Sequence, residues 1–245
     1  MDDLLALLPD AAAHAKPPVS NFRVGAVARG TSGKLYLGTN LEFAGEALSF
    51  TVHAEQSAVV SAWMGGERGI DVIATSAAPC GYCRQFLNEL VTARELLVVM
   101  PKESRPLSEL LPSSFGPRDL GIEGGLLQPE DHGLGVDDAD ALAQAALRAA
   151  NMSYAPYSKS YAGVALRTHD GRVFSGAYAE NAAFNPSLSP LQAALSQLNL
   201  AGGQWNDIAE CVLVEAGDLH TSSTRIVLAT IGDAPLRVVR ARNSA

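Results

Sequence analysis

The chain has 245 residues, 47% of them hydrophobic, enough to bury a core as one large domain or two small ones. Its formal charge of -8 argues against a nucleic-acid partner, because phosphate polymers are bound by clustered Lys and Arg. Apolar runs fall short of the roughly 20 residues that span a bilayer, and acidic residues stand near the start where a secretory signal carries basic ones. We therefore expect no membrane partner and a cytoplasmic location.

In chain order, the first half alternates strand and helix signals. Residues 1–15 form a brief helical lead, and two β-rich runs joined by Thr-Ser-Gly suggest a hairpin. After the hairpin, the pattern predicts a helix from about residue 52, a strand at 70–76, a helix at 80–91 and a strand at 95–100. This order predicts a three-layer α/β/α domain over residues 16–100.

Residues 101–136 change character. They contain 5 prolines and 6 glycines in 36 residues, too many helix and strand breakers for a regular element. We interpret this stretch as a linker that wraps over a surface. Beyond it, the order of elements begins again.

Residues 137–245 repeat the first half. An offset of 138 positions matches Gly25 with Gly163, Ala26 with Val164, Gly33 with Gly171, Gly38 with Gly176 and Glu42 with Glu180. Carried into the helix, this offset places Leu191 opposite His53 and Ala193 opposite Glu55. No Cys-x-x-Cys follows the copied third strand. We expect a duplicated fold whose second copy lacks metal ligands and chemistry.

Metal-binding residue types lie at the starts of two predicted helices. His53 and Glu55 form H-x-E, and Cys80 follows His53 by 27 positions in P-C-x-x-C, which begins at Pro79 and ends at Cys83. This is the general signature of zinc-dependent deaminases. A Cys-x-x-Cys in a first helical turn directs both sulfurs to one point, and His53 adds a third ligand. Three protein ligands leave the fourth position of Zn²⁺ open, the catalytic arrangement. We expect one zinc per chain, with Glu55 beside it as a non-ligand.

Other interpretations of these residues are weaker. A single His on a helix usually bonds a backbone carbonyl, and a Cys-x-x-Cys can be redox-active or part of a four-ligand structural site. The neighbouring H-x-E disfavours the redox interpretation, and the structural site lacks an obvious fourth ligand. Cys211 lies in an apolar run and is predicted to be core. We assign no function to His14, His132, His169 and His220.

The motifs and their surroundings resemble the cytidine deaminases, specifically their longer, dimeric form with a catalytic and a degenerate half. The resemblance covers about residues 16 to 215. Short tetrameric members of that family use Cys in place of His53 and Arg in place of Gln56. The similarity is dense in "SNFRVGAVARG", "NLEFAGEALSFTVHAEQSA", "PCGYCRQFLNEL", "FGPRDL" and "NAAFNPSLSPLQAAL".

This resemblance implies hydrolytic deamination of cytidine and deoxycytidine to uridine and deoxyuridine with release of ammonia, in pyrimidine salvage. Zinc would activate the attacking water, and Glu55 would act as the proton shuttle. The family pattern assigns Asn40 and Glu42 to the ribose hydroxyls, Phe22 to packing against the base, and the backbone around Ala54 and Pro79 to the pyrimidine edge.

The resemblance also implies a homodimer whose active sites are shared between subunits, with Phe115 and Phe184 near the base. Three alternatives remain open. A deaminase acting on polynucleotides or on deoxycytidylate would need clustered basic groups, which the sequence lacks. A zinc-stabilised scaffold without turnover would have no need for Glu55.

Overall fold

The computed structural model describes residues 2–243, and these divide into two compact units. Unit 1 is formed by the chain up to Glu42, Thr51–Gln128 and Asn181–Ser187. Unit 2 is formed by Phe43–Phe50, Pro129–Glu180 and the chain from Leu188 onward. Each half of the sequence therefore contributes one short segment to the unit formed mainly by the other half.

Unit 1 is built around a mixed sheet with strand order β2-β1-β3-β4-β5. β1 pairs antiparallel with β2 and β3, while β3 and β4 are parallel. The regular elements, in chain order, are α1 (Asp2–Ala13), β1 (Gly25–Gly30), β2 (Leu35–Thr39), α2 (Ala54–Met64), β3 (Ile70–Thr75), α3 (Gly81–Leu87), β4 (Leu97–Val99), β5 (Ser104–Pro106) and α4 (Leu107–Leu110).

Two glycines show that helices cover both faces of this sheet. A Cβ on Gly25 would lie 2.4 Å from the carbonyl oxygen of Leu8 in α1, and a Cβ on Gly38 would lie 2.2 Å from the amide nitrogen of Ala58 in α2. Gly38 pairs with Ala26, the neighbour of Gly25, so the two glycines face opposite sides. The predicted three-layer α/β/α architecture is confirmed.

Unit 2 repeats this design around a sheet with strand order β10-β9-β7-β8. A Cβ on Gly163 would meet α5 at Ala146 and Ala150, and a Cβ on Gly176 would meet α6 at Pro190 and Ala194. The duplication is therefore confirmed. The regular elements are β6 (Leu134–Gly135), α5 (Ala141–Asn151), β7 (Ala162–Thr168), β8 (Val173–Ala177), α6 (Pro190–Leu200), β9 (Ile208–Glu215), α7 (Thr221–Ile231), β10 (Leu236–Arg240) and β11 (Arg242–Asn243).

The predicted register of the second helix is wrong by two residues. Gly38 packs on Ala58, and its counterpart Gly176 packs on Ala194, which is 136 positions further along and not 138. The loop before α6 is therefore two residues shorter than the loop before α2. Ser189, the N-cap of α6, stands in the place of His53, and Leu191 stands in the place of Glu55. The second copy still lacks these ligand types.

Residues 101–136 contain short regular elements, contrary to the prediction from their Pro and Gly content. β5 pairs antiparallel with β4 at the edge of the unit 1 sheet, and α4 follows at once. Arg84 of α3 donates a hydrogen bond of 2.8 Å to the carbonyl of Leu110. This part of the chain therefore packs on α3. None of the helices among residues 2–243 has the length and hydrophobicity of a transmembrane segment.

Candidate metal centre and active site

The proposed ligands lie at the N-termini of α2 and α3. His53 is the N-cap of α2 and Cys80 is the N-cap of α3, and both have extended backbone conformations that end the preceding loops. Cys83 lies on the first turn of α3 and is buried, whereas Cys80 is exposed. The positive end of a helix dipole favours thiolates at such positions.

The three side chains converge on one point. The distance between His53 Nδ1 and the sulfur is 3.2 Å for Cys83 and 3.7 Å for Cys80, and the two sulfurs are 3.6 Å apart. Tetrahedral zinc with bonds of about 2.3 Å to sulfur and about 2.0 Å to nitrogen separates its ligands by roughly 3.5–3.8 Å. The donor set fits zinc, and among the described residues it is the one group of three or more His, Cys, Asp or Glu with this convergence.

The two thiols share a hydrogen bond that shifts their pKa values in opposite directions. This bond lowers the pKa of Cys80 to about 5. The same bond, together with burial, raises the pKa of Cys83. The pKa values of the two thiols are therefore shifted in opposite directions. A bound cation also favours the thiolate form of the second sulfur.

Glu55 lies on the first turn of α2, beside this group. Its side chain is only 4% exposed and hydrogen-bonds Cys83. Burial raises the pKa of Glu55, although hydrogen bonds to its own backbone and to Cys83 act in the opposite direction. Glu55 is not a member of the converging group. It therefore has the placement expected of a carboxylate that faces the metal site without ligating.

Two further residues contact His53, and the sequence analysis identified neither contact. Gln56 accepts a hydrogen bond of 3.1 Å from the His53 amide through Oε1 and donates one of 2.9 Å to the carbonyl of Pro186. The ring of Tyr82 stacks on the His53 imidazole with centroids 5.1 Å apart. Pro186 belongs to the segment 181–187, which is distant in sequence from both helices. A tyrosine inside the Cys-x-x-Cys was the available signal, but a residue type alone does not reveal a partner.

Asn40 and Glu42 hold the loop that precedes β1. Asn40 accepts a hydrogen bond from the Val24 amide and donates one to the carbonyl of Phe22, each of 2.9 Å. Glu42 accepts from the amides of Val19 and Ser20 and from the Ser20 hydroxyl. Burial opposes ionisation of Glu42, but these hydrogen bonds outweigh it and lower its pKa.

Unit 2 repeats the Glu42 contacts, although its described residues contain no converging group of metal ligands. Glu180 accepts from the amides of Tyr157 and Ser158, which are the counterparts of Val19 and Ser20. The carboxylate clamp on this loop is therefore a feature of the fold. Asn40 has no such repeat, because Tyr178 takes its place in unit 2.

The other predicted site residues all lie in unit 1. Ala54 is buried between His53 and Glu55, and buried Pro79 accepts a hydrogen bond from Arg84 of α3. The aromatic residues Phe22, Phe115 and Phe184 are exposed, by 60%, 45% and 67% respectively. Phe184 lies in the segment 181–187 and adopts a left-handed conformation with φ of 59°.

Both halves of the chain match known family models. Residues 2–100 and residues 107–227 each match a model described as the cytidine and deoxycytidylate deaminase zinc-binding region. The fold, the His-Cys-Cys group and these matches define a zinc-dependent deaminase.

Curated proteins of similar sequence identify the family within the zinc-dependent deaminases. The cytidine deaminase of Photobacterium profundum is 52% identical over 242 residues, which cover 97% of this chain and 82% of that protein. The cytidine deaminase of Vibrio vulnificus is 55% identical over 213 residues, which cover 86% of this chain and 72% of that protein. Among solved structures, the cytidine deaminase from Mycobacterium tuberculosis has 32% sequence identity to this chain. The match covers 47% of this chain and 96% of the Mycobacterium tuberculosis chain, with a TM-score of 0.43. The chain belongs to the cytidine deaminase family.

Proposed function

We propose that this chain hydrolyses cytidine and 2'-deoxycytidine to uridine and 2'-deoxyuridine with release of ammonia, and serves pyrimidine salvage. One observation carries the proposal: a converging His-Cys-Cys group with the buried carboxylate of Glu55 in contact with one of its sulfurs. In the proposed division of labour, residues 16–100 provide the chemistry, after a helical lead at 1–15. Residues 101–136 connect them to a non-catalytic copy at 137–245.

His53, Cys80 and Cys83 are the proposed ligands of one zinc per chain. Two sulfurs and one imidazole nitrogen leave a fourth position free in a tetrahedral site. When bound there, zinc lowers the pKa of a coordinated water toward about 7 and so supplies a nucleophile for C4 of the pyrimidine at neutral pH.

Glu55 is the proposed catalytic residue. Addition of water at C4 requires a base for the proton of the water, an acid for N3 and an acid for the departing amine. One carboxylate within reach of all three positions can pass the first proton of the water to N3, then take the second proton from the new hydroxyl on C4 and pass it to the departing amine. Its burial shields these transfers from bulk solvent.

Substrate recognition is assigned to the loop that Asn40 and Glu42 hold. In our proposal these two side chains also bond the ribose hydroxyls, and an anionic Glu42 there would repel a phosphate, which favours nucleosides over nucleotides. The low pKa of Glu42 supports an anionic carboxylate at neutral pH. Phe22 is proposed to pack on the base, and the backbone around Ala54 and Pro79 to bond the pyrimidine edge.

The proposed assembly is a cytoplasmic homodimer. Phe115 and Phe184, whose side chains are exposed, are proposed to approach the base where two chains meet. Light scattering should give the mass of two chains for the active protein. A stable, active monomer would contradict this assembly.

A substrate panel tests the function directly. We expect purified zinc-loaded protein to release ammonia from cytidine and deoxycytidine, and to leave deoxycytidylate, adenosine and single-stranded DNA essentially unchanged. Rapid turnover of deoxycytidylate or DNA would show that the substrate is a nucleotide or a polynucleotide and not a nucleoside. If the protein bound zinc but turned over none of these compounds, the result would favour a zinc-stabilised scaffold without enzymatic activity.

A further inference from the structure

Tyr82 lies between the two cysteines and contacts two different parts of unit 1. On one side, its ring stacks on the imidazole of His53 with an interplanar angle of 25°. On the other side, its hydroxyl donates a hydrogen bond of 2.8 Å to the carbonyl of Asn185. Tyr82 also hydrogen-bonds Gln56, the residue that accepts from the His53 amide. A single half-buried side chain thus joins a proposed ligand to the segment 181–187.

The segment 181–187 is also hydrogen-bonded to α3 and to the turn that follows it. Asn181 donates a hydrogen bond of 3.0 Å to the carbonyl of Gln85, and the Ala182 amide donates one of 2.9 Å to the buried carboxylate of Glu89. Tyr82 and Gln85 lie three positions apart on α3, and Glu89 lies in the turn two residues beyond its last residue. The segment is therefore held at several points, and Tyr82 is the point nearest the ligands in sequence.

Unit 2 shows which of these contacts belong to the fold and which occur only beside the proposed metal ligands. There, Gln192 accepts from the Ser189 amide and donates to the carbonyl of Phe50, repeating the contacts of Gln56. The Gln contact is therefore common to both copies and does not depend on metal. The start of α7 has no tyrosine, since residues 220–224 are His-Thr-Ser-Ser-Thr. Tyr82 is specific to the copy that carries the ligands.

We infer that Tyr82 is a positioning residue for the metal centre. Its ring holds the imidazole of His53 so that Nδ1 faces the two sulfurs, and its hydroxyl fastens the segment 181–187 beside the ligands. A ligand histidine needs such contacts because its ring can otherwise rotate away from the metal, and loss of a supporting contact typically weakens metal binding roughly 10- to 100-fold. This inference rests on the proposed zinc ligation by His53.

The test uses the full-length holoprotein and variants that separate the ring from the hydroxyl. Tyr82→Phe keeps the ring and removes the hydroxyl, whereas Tyr82→Leu keeps apolar bulk without the ring. Tyr36→Phe is the matched control, since it removes a tyrosine hydroxyl that bonds Glu67 near the other end of α2. Zinc release is followed with a chromogenic chelator, and ligand geometry with the visible spectrum of the Co²⁺-substituted protein. Hydrogen exchange reports the amides of the segment 181–187.

Different variants should change different measurements. Tyr82→Leu should release zinc roughly 10- to 100-fold faster and shift the cobalt spectrum. Tyr82→Phe should match the parent in both, but should exchange the amides of 181–187 faster. Tyr36→Phe should change none of these. Parent-like zinc release and an unchanged cobalt spectrum in Tyr82→Leu would overturn the role of the ring. Unchanged exchange in Tyr82→Phe would overturn the role of the hydroxyl. A parent protein that binds no zinc would instead contradict the proposed metal site.

Discussion

Replacing Glu55 by Gln changes the chemistry of the proposed active site while leaving its shape nearly intact. The side chain is buried and lies against Cys83. Gln has the same length as Glu and can still accept a hydrogen bond, so the substitution creates no cavity in α2. The property that is lost is the ability to accept and return a proton.

The expected loss in turnover follows from the number of proton transfers assigned to Glu55. One positioned acid or base typically contributes roughly 10²- to 10⁴-fold to a rate. Since Glu55 would serve the water, N3 and the leaving amine, we expect kcat to fall by about 10⁴-fold or more. That corresponds to about 5.5 kcal/mol of activation free energy.

The assay is ammonia release from cytidine, combined with elemental analysis of zinc. Glu67→Gln is the matched control, because Glu67 is also a buried carboxylate of unit 1 but bonds Ser32 and Tyr36 near the opposite end of α2. It should retain parental turnover even if it unfolds more easily. Glu55→Gln should keep its zinc. Turnover within a few-fold of the parent would refute the proton shuttle, and loss of zinc would identify Glu55 as a ligand or its support.

Three further outcomes are expected. Cys83→Ala should lower both zinc occupancy and the thermal unfolding midpoint, because metal binding is linked to folding; a fully zinc-loaded variant would contradict ligation by Cys83. The double substitution Ser189→His with Leu191→Glu should leave the protein with one zinc and unchanged turnover, as elemental analysis can show, since unit 2 would still lack both thiolates. The pKa of Glu42 is lower in the folded state than in the unfolded state, where it is about 4.3. Ionised Glu42 should therefore stabilise the fold fully above about pH 4.3, and this stabilisation should disappear as the pH falls through the folded-state pKa. The difference in unfolding midpoint between parent and Glu42→Gln should therefore shrink on acidification, and a difference that is constant with pH would refute this account.

The metal group and the duplication could be predicted because their signals are local or repeated. His53, Cys80 and Cys83 occur at a spacing that places them at two helix starts, and the glycines of the hairpin recur at a constant offset. The register of α6 could not be predicted in this way. It depends on a two-residue difference in a loop, and it became visible only where Gly38 and Gly176 touch their helices.

Contacts between distant parts of the sequence were beyond prediction. The short strand β5 has too few residues for a recognisable period, and its pairing with β4 decides its conformation. Likewise, no pattern in the chain indicates that Pro186 accepts a hydrogen bond from Gln56, which precedes it by 130 positions. In the same way, no pattern in the sequence indicates that Asn40 and Glu42 hydrogen-bond the loop that precedes β1.

The reciprocal segments 43–50 and 181–187 limit how far the two halves of the chain can be separated. The second copy, residues 137–245, could not be removed without loss to unit 1, because unit 1 includes Asn181–Ser187. Removing it would also remove the partners of Tyr82, Gln85 and Glu89, and would leave the buried carboxylate of Glu89 without the Ala182 amide. Neither half of the sequence therefore forms its unit without a segment from the other. A chain that ended at Gln128 would lack part of the unit that contains the His-Cys-Cys group.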